Sequence, residues 1–132
     1  MPRPETRQAA IRIVLADDHT VMRNGLRRLL DEQADFEVVG EAATTLAALQ
    51  AVRGQRPDVL VLDLNMPGGS ALSAISSIRR FSPHTRIVVL SMEHDRVLIR
   101  AAHDSGAYGF VPKEAAAEQL VTAIRAAQAP AH

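Results

Sequence analysis

A chain of 132 residues, 47% of them hydrophobic, has the size of one domain and enough apolar material for a real core. Its 15 basic and 15 acidic residues give a formal net charge of zero, so the basic footprint of a nucleic-acid binder is missing. It has no cysteine, which excludes disulfides, Cys-based metal sites and a Cys nucleophile; no apolar run approaches the roughly 18 residues of a membrane span.

Residues 1–10 carry two prolines and mixed charge, lack the apolar core of a signal peptide, and read as a loose tail. Ile11–Ala16 is apolar and β-branched, broken only by Arg12, and reads as a buried strand. Thr20–Asp31 spaces Val21, Met22, Gly25, Leu26, Leu29 and Leu30 as a helix. Phe36–Ala42 is a second strand. Thr44 or Thr45 caps a helix that reaches about Arg53, with Leu46, Leu49 and Val52 inward and Gly54 and Pro57 as its stop. Val59–Leu62 is fully apolar, as a central parallel strand should be.

Asn65–Ser70 holds Pro67, Gly68 and Gly69 and is a loop. Ala71–Phe81 is a helix with Leu72, Ile75 and Ile78 on one face, and Ile87–Leu90 a fourth strand. Asp95–Ser105 reads as a weak helix stopped by Gly106, and Ala107–Val111 as a short fifth strand. Glu114–Ala127 is an alanine-rich helix with Leu120, Val121 and Ile124 inward, and residues 128–132 are a tail or the start of a linker. The basic pairs Arg27–Arg28 and Arg79–Arg80 read as solvated helix faces.

Five strands alternating with five helices predict one α/β domain over residues 11–127, a doubly wound parallel sheet covered on both faces. Ligands in such sheets bind beyond the carboxyl ends of the strands. Those ends carry Asp17 and Asp18, then Asp63, Ser91 and Lys113. Each has a bland reading of its own, as a cap, a turn hydroxyl or a solvated charge. Together they predict a pocket of three carboxylates and an ammonium. Clustered carboxylates repel one another unless a cation sits among them, and Mg²⁺ is the hard cation that takes oxygen ligands. Asp18 and Asp63 would ligate it directly, Asp17 would hold a metal water, and the Asn65 carbonyl could add a ligand. Asp63 as a nucleophile would yield an acyl phosphate, with Lys113 and the cation neutralising the phosphoryl oxygens and Ser91 donating its hydroxyl.

Asp17-Asp18, Asp63-Leu64-Asn65-Met66-Pro67, Ser91 and Gly109-Phe110-Val111-Pro112-Lys113 occur here in one order and in matching strand contexts. In this the chain resembles the receiver domain of bacterial two-component response regulators, and the NarL/FixJ (LuxR-type) subfamily above all. The resemblance implies a flavodoxin-like sheet of order 2-1-3-4-5, Asp63 as phosphoacceptor, and Asp17 and Asp18 as the Mg²⁺ pair. It also implies Ser91 as switch hydroxyl, Lys113 as phosphoryl partner and Phe110 as switch aromatic. The implied donor is a sensor histidine kinase. The implied output is transcription through a helix-turn-helix DNA-binding domain, absent from these 132 residues, so this domain is not expected to touch nucleic acid itself. The missing cysteines fit a cytoplasmic protein, and no membrane contact is expected; no turnover is expected beyond Mg²⁺-dependent self-phosphorylation and autodephosphorylation. Two copies are expected to associate through the last helix, joined by the first helix or by the fourth helix and fifth strand.

The chain departs from the subfamily at Ala71, where a glycine is common, and carries Gly68-Gly69 earlier instead; the loop beside Asp63 can take a different path. Phe110 stands where tyrosine is frequent and donates no hydrogen bond when buried. Glu114 follows the lysine where proline is common. A metal-dependent phosphatase is disfavoured because its Asp-x-Asp pattern here ends in Asn65, which cannot shuttle a proton. A nucleotide-binding domain is disfavoured because Asp17-Asp18-His19 replaces its glycine-rich turn. A pseudo-receiver that only binds partners would have lost an acidic or lysine position, and none is lost.

Overall fold

The apolar runs form strands because their β-branched side chains fill both faces of a covered sheet. The computed structural model describes residues 10–92 and 95–129. Its elements are β1 (Ile11–Ala16), α1 (Thr20–Asp31), β2 (Phe36–Ala42), α2 (Thr45–Gln55), β3 (Val59–Asp63), α3 (Ala71–Phe81), β4 (Arg86–Ser91), α4 (Arg96–Ser105), β5 (Gly109–Pro112) and α5 (Ala116–Gln128). A 3₁₀ turn, Lys113–Ala115, leads into α5. All neighbouring strands run parallel, in the order β2-β1-β3-β4-β5. This is the flavodoxin-like sheet that the resemblance implied. The tail expected over residues 1–10 lies, save Ala10, outside the described residues, as do the last three residues of the chain.

Strand alternation sorts the core into two layers. Val14, Leu60, Leu62, Ile87 and Val89 meet α2, α3 and α4 on one face. Ile13, Leu15, Val59, Val61, Val88, Leu90 and Val111 meet α1 and α5 on the other. Ile78, Leu120 and Ile124 are fully buried anchors of their helices.

Four sequence expectations are corrected here. Val21 is 86% exposed, because it lies about 140° around the helix from Leu26 at roughly 100° per residue. Leu46 is 56% exposed for the same reason. The inward stripe of α2 is Thr45, Ala48 and Val52, with Leu49 partly buried. Gly54 does not stop α2; the helix runs on to Gln55 and ends where Arg56 takes a left-handed conformation (φ 48°), in front of Pro57, which disfavours a helical residue before it. The fifth strand starts at Gly109 rather than Ala107, because Gly106 (φ 123°) and Ala107 close α4 through amides that donate to the His103 and Ala102 carbonyls. Elsewhere the limits move by one or two residues, and two of these shifts matter. Asp63 belongs to β3 and pairs with Leu90, and Ser91 belongs to β4 and pairs with Pro112.

Candidate functional site

Parallel strands end together, and β1, β3, β4 and β5 end in, or are directly followed by, polar residues at one edge. Asp17 follows β1, and its amide donates to the Ala42 carbonyl (3.0 Å), which fixes its height. Asp63 shares strand parity with Val59 and Val61, so it faces the α1/α5 side. Asp17, Asp63 and Ser91 are fully buried. Lys113 opens the 3₁₀ turn after β5, with a side chain only 11% exposed. Its Nζ donates to Asp63 Oδ2 at 2.8 Å and lies 3.7 Å from Asp17 Oδ2. The Asn65 amide donates to Asp63 Oδ1 at 2.9 Å. The three aspartates and the lysine, 96 positions apart at the extremes (17 to 113), meet as the sequence predicted.

Burial pushes the Asp63 carboxyl above its ordinary range. The Lys113 hydrogen bond and the Asn65 amide pull against that rise, and the nearby Asp17 charge adds to it. Asp17 Oδ2 and Asp18 Oδ1 are buried without a hydrogen-bond partner. Buried carboxylate oxygens without donors are costly, and a divalent cation satisfies them. One atom from each of Asp17, Asp18, His19 and Asp63 lies within 4.8 Å of all the others. The hard oxygen donors of this set fit Mg²⁺.

His19 is the site residue that the sequence reading did not single out. Its amide donates to Asp17 Oδ1 (2.8 Å), and its Nδ1 lies 3.1 Å from Lys113 Nζ, 3.2 Å from Asp17 Oδ1 and 3.4 Å from Asp18 Oδ1. The signal was its place directly after the aspartate pair, where a short turn folds its ring back over them.

Ser91 faces the opposite side of the sheet from Asp63, sharing parity with Ile87 and Val89, and its Oγ has no partner. Phe110 also points to that side. It is 37% exposed and lines, with Val89, Ile99 and Ala107, a groove of about 440 Å³ beneath α4. Gly68 and Gly69 both adopt positive φ, and a Cβ on Gly68 would sit 2.9 Å from Thr44 Cβ. The loop after Asp63 therefore lies against the start of α2, where the Thr45 amide donates to the Pro67 carbonyl (2.9 Å).

Residues 13–125 match the model of the response regulator receiver domain. The oxygen regulatory protein NreC of Staphylococcus epidermidis is 45% identical over 116 residues, which cover 87% of this chain and 53% of that protein. The chain thus spans about half the length of the curated relatives it matches. The signal receiver domain of NarL from Mycobacterium tuberculosis superposes with a TM-score of 0.86 at 31% identity, covering 93% of this chain and all of that one. A LuxR-family response regulator from Aurantimonas superposes at 0.82 with 36% identity, covering 89% of this chain and 84% of that one. Matched over almost its whole described length, with its acidic edge and lysine in place, this chain belongs to the response regulator receiver domain family.

Proposed function

We propose that Asp63 accepts a phosphoryl group from the phosphohistidine of a sensor kinase, and that its attachment resets the α4/β5 surface to control transcription. The observation that carries this reading is the Asp63 carboxylate, fully buried yet held at the open sheet edge between Lys113 and the Asn65 amide. An Asp63 oxygen attacks phosphorus, the phosphorus–nitrogen bond breaks, and its electron pair returns to the imidazole, which takes a proton from water. Asp17, Asp18, Asp63 and the Asn65 carbonyl would hold Mg²⁺, which supplies charge neutralisation at the phosphoryl oxygens. Lys113 turns its ammonium from the carboxylate to a phosphoryl oxygen. Ser91 Oγ, which lacks a partner, gains one by donating to another. Phe110 follows Ser91 toward the sheet and changes what α4 and β5 present to a partner.

Turnover is limited to this self-phosphorylation and to hydrolysis of the acyl phosphate. The domain works in the cytoplasm, and no helix among the described residues is long and apolar enough to cross a membrane. DNA is reached through a helix-turn-helix domain beyond these residues. Two copies associate through α5 together with α1 or with α4 and β5; an open groove lined by Met22, Leu29 and Ala117 supports the first of these readings.

The test is acetyl phosphate with Mg²⁺, read by intact mass. One phosphoryl group should add to the wild type and none to Asp63→Asn. Equal labelling of both would overturn the assignment.

A further inference from the structure

Four donor side chains converge on this edge, and only three of them are carboxylates. His19 is 64% exposed, yet its Nδ1 turns inward to the buried acids. The neighbour at 3.1 Å is the Lys113 ammonium, which can only donate. Two carboxylate oxygens lie nearly as close, Asp17 Oδ1 at 3.2 Å and Asp18 Oδ1 at 3.4 Å, so Nδ1 faces the same cluster as the acids. Nothing in α1 requires this pose: His19 is the N-cap residue of the helix, and its side chain makes no capping hydrogen bond. Beside it, Asp17 Oδ2 and Asp18 Oδ1 are buried without partners.

We infer that His19 is a fourth side-chain ligand of this site, and that its nitrogen tilts the site toward Mn²⁺ over Mg²⁺. The inference rests on reading the three aspartates as a cation site. Ligands about 2.1 Å from one ion lie no more than about 4.2 Å apart. Four donor atoms already within 4.8 Å of one another need only small side-chain adjustments to surround an ion. Three carboxylates keep the site open to hard cations. An imidazole nitrogen is a poor ligand for Mg²⁺ and a good one for first-row transition ions. Mn²⁺ is the transition ion whose preference for oxygen lies nearest to a set of three carboxylates and one imidazole. His19 is therefore a selectivity residue, separate from the groups that meet the phosphoryl.

The test uses the full chain and Mn²⁺ as probe. Electron paramagnetic resonance titration gives its affinity, Mg²⁺ competition gives the selectivity, and electron spin echo envelope modulation reads nitrogen bound to the ion. The wild type should show ¹⁴N coupling. His19→Asn keeps a good N-cap and offers an oxygen donor. It should abolish that coupling and cut the preference for Mn²⁺ over Mg²⁺ about tenfold, leaving Mg²⁺ affinity nearly unchanged. Asp18→Ala should remove tight Mn²⁺ binding, which locates the ion. Bound Mn²⁺ without ¹⁴N coupling, or coupling that survives His19→Asn, would overturn the inference and leave the carboxylate site standing. Failure of the wild type to bind either ion would overturn both.

Discussion

Replacing Lys113 by methionine removes the one ammonium that serves two buried carboxylates and keeps most of the side-chain volume. Its Nζ is 2.8 Å from Asp63 Oδ2, which at an effective dielectric of about 20 is worth roughly 6 kcal/mol of gross attraction. Desolvation of the ammonium offsets part of this, since the side chain is only 11% exposed. Protonation sets the ceiling. An Asp63 left without its partner escapes the penalty by taking a proton, at about 1.4 kcal/mol per pH unit above its ordinary value of 3.8, or about 5 kcal/mol near pH 7.5. The ion-free variant should therefore lose about 3–5 kcal/mol at that pH, the usual cost of breaking a buried pair. In urea this is a midpoint shift of about 1.5–2.5 M, taking a slope near 2 kcal/mol/M.

The pH dependence has a fixed sign. The folded Asp63 carboxyl already sits above its unfolded value, and losing Lys113 raises it further. The folded state then binds the extra proton, so stability falls as pH rises from the unfolded value through the folded one and levels off above it. Near pH 4.5 most of the loss should vanish, and saturating Mg²⁺ should restore much of it near pH 7.5. A loss below about 1 kcal/mol, or an equal loss at both pH values, would refute this account of the ammonium as the counter-charge of a buried carboxylate.

Ser91→Ala removes a buried hydroxyl that has no partner, so the ion-free fold should lose nothing and gain up to about 1 kcal/mol in urea melts. The same variant should still take up the phosphoryl group but lose the amide shifts at Phe110, read by NMR. Gly106→Ala forces a side chain into φ 123° and puts Cβ 2.5 Å from Arg79 Cγ. The arginine can swing away but the backbone strain stays, so a loss of about 1–3 kcal/mol is expected by the same melts.

The element order was legible because each strand is a short apolar run and each helix an amphipathic one. α1, β2 and α3 have the predicted limits. What misled was side-chain size. Val21 and Leu46 are large and apolar, but their angular positions point outward, and small Thr45 and Ala48 hold the inward places. Of the candidate site, Asp17, Asp18, Asp63 and Lys113 were legible because a parallel sheet gathers strand ends whatever their separation. His19 was not, because its role depends on the path of one turn. The opposite facing of Ser91 and Asp63 was open to strand parity but needed the last residue of each strand to be known.

That opposite facing divides the core into two compartments, one on each face of the sheet, which meet at its carboxyl edge. By strand parity Asp63 faces the α1/α5 compartment, while Ser91 and Phe110 face the compartment of α4. Ser91, the last residue of β4, is therefore the point at which the α4 side comes nearest the acidic edge. The two compartments are also open to separate redesign. Repacking Ile75 and Ile78 under α3 tunes stability on the far side of the partition from the acids. Repacking Leu26 or Leu120 works on the same side as the acids, where stability and chemistry move together.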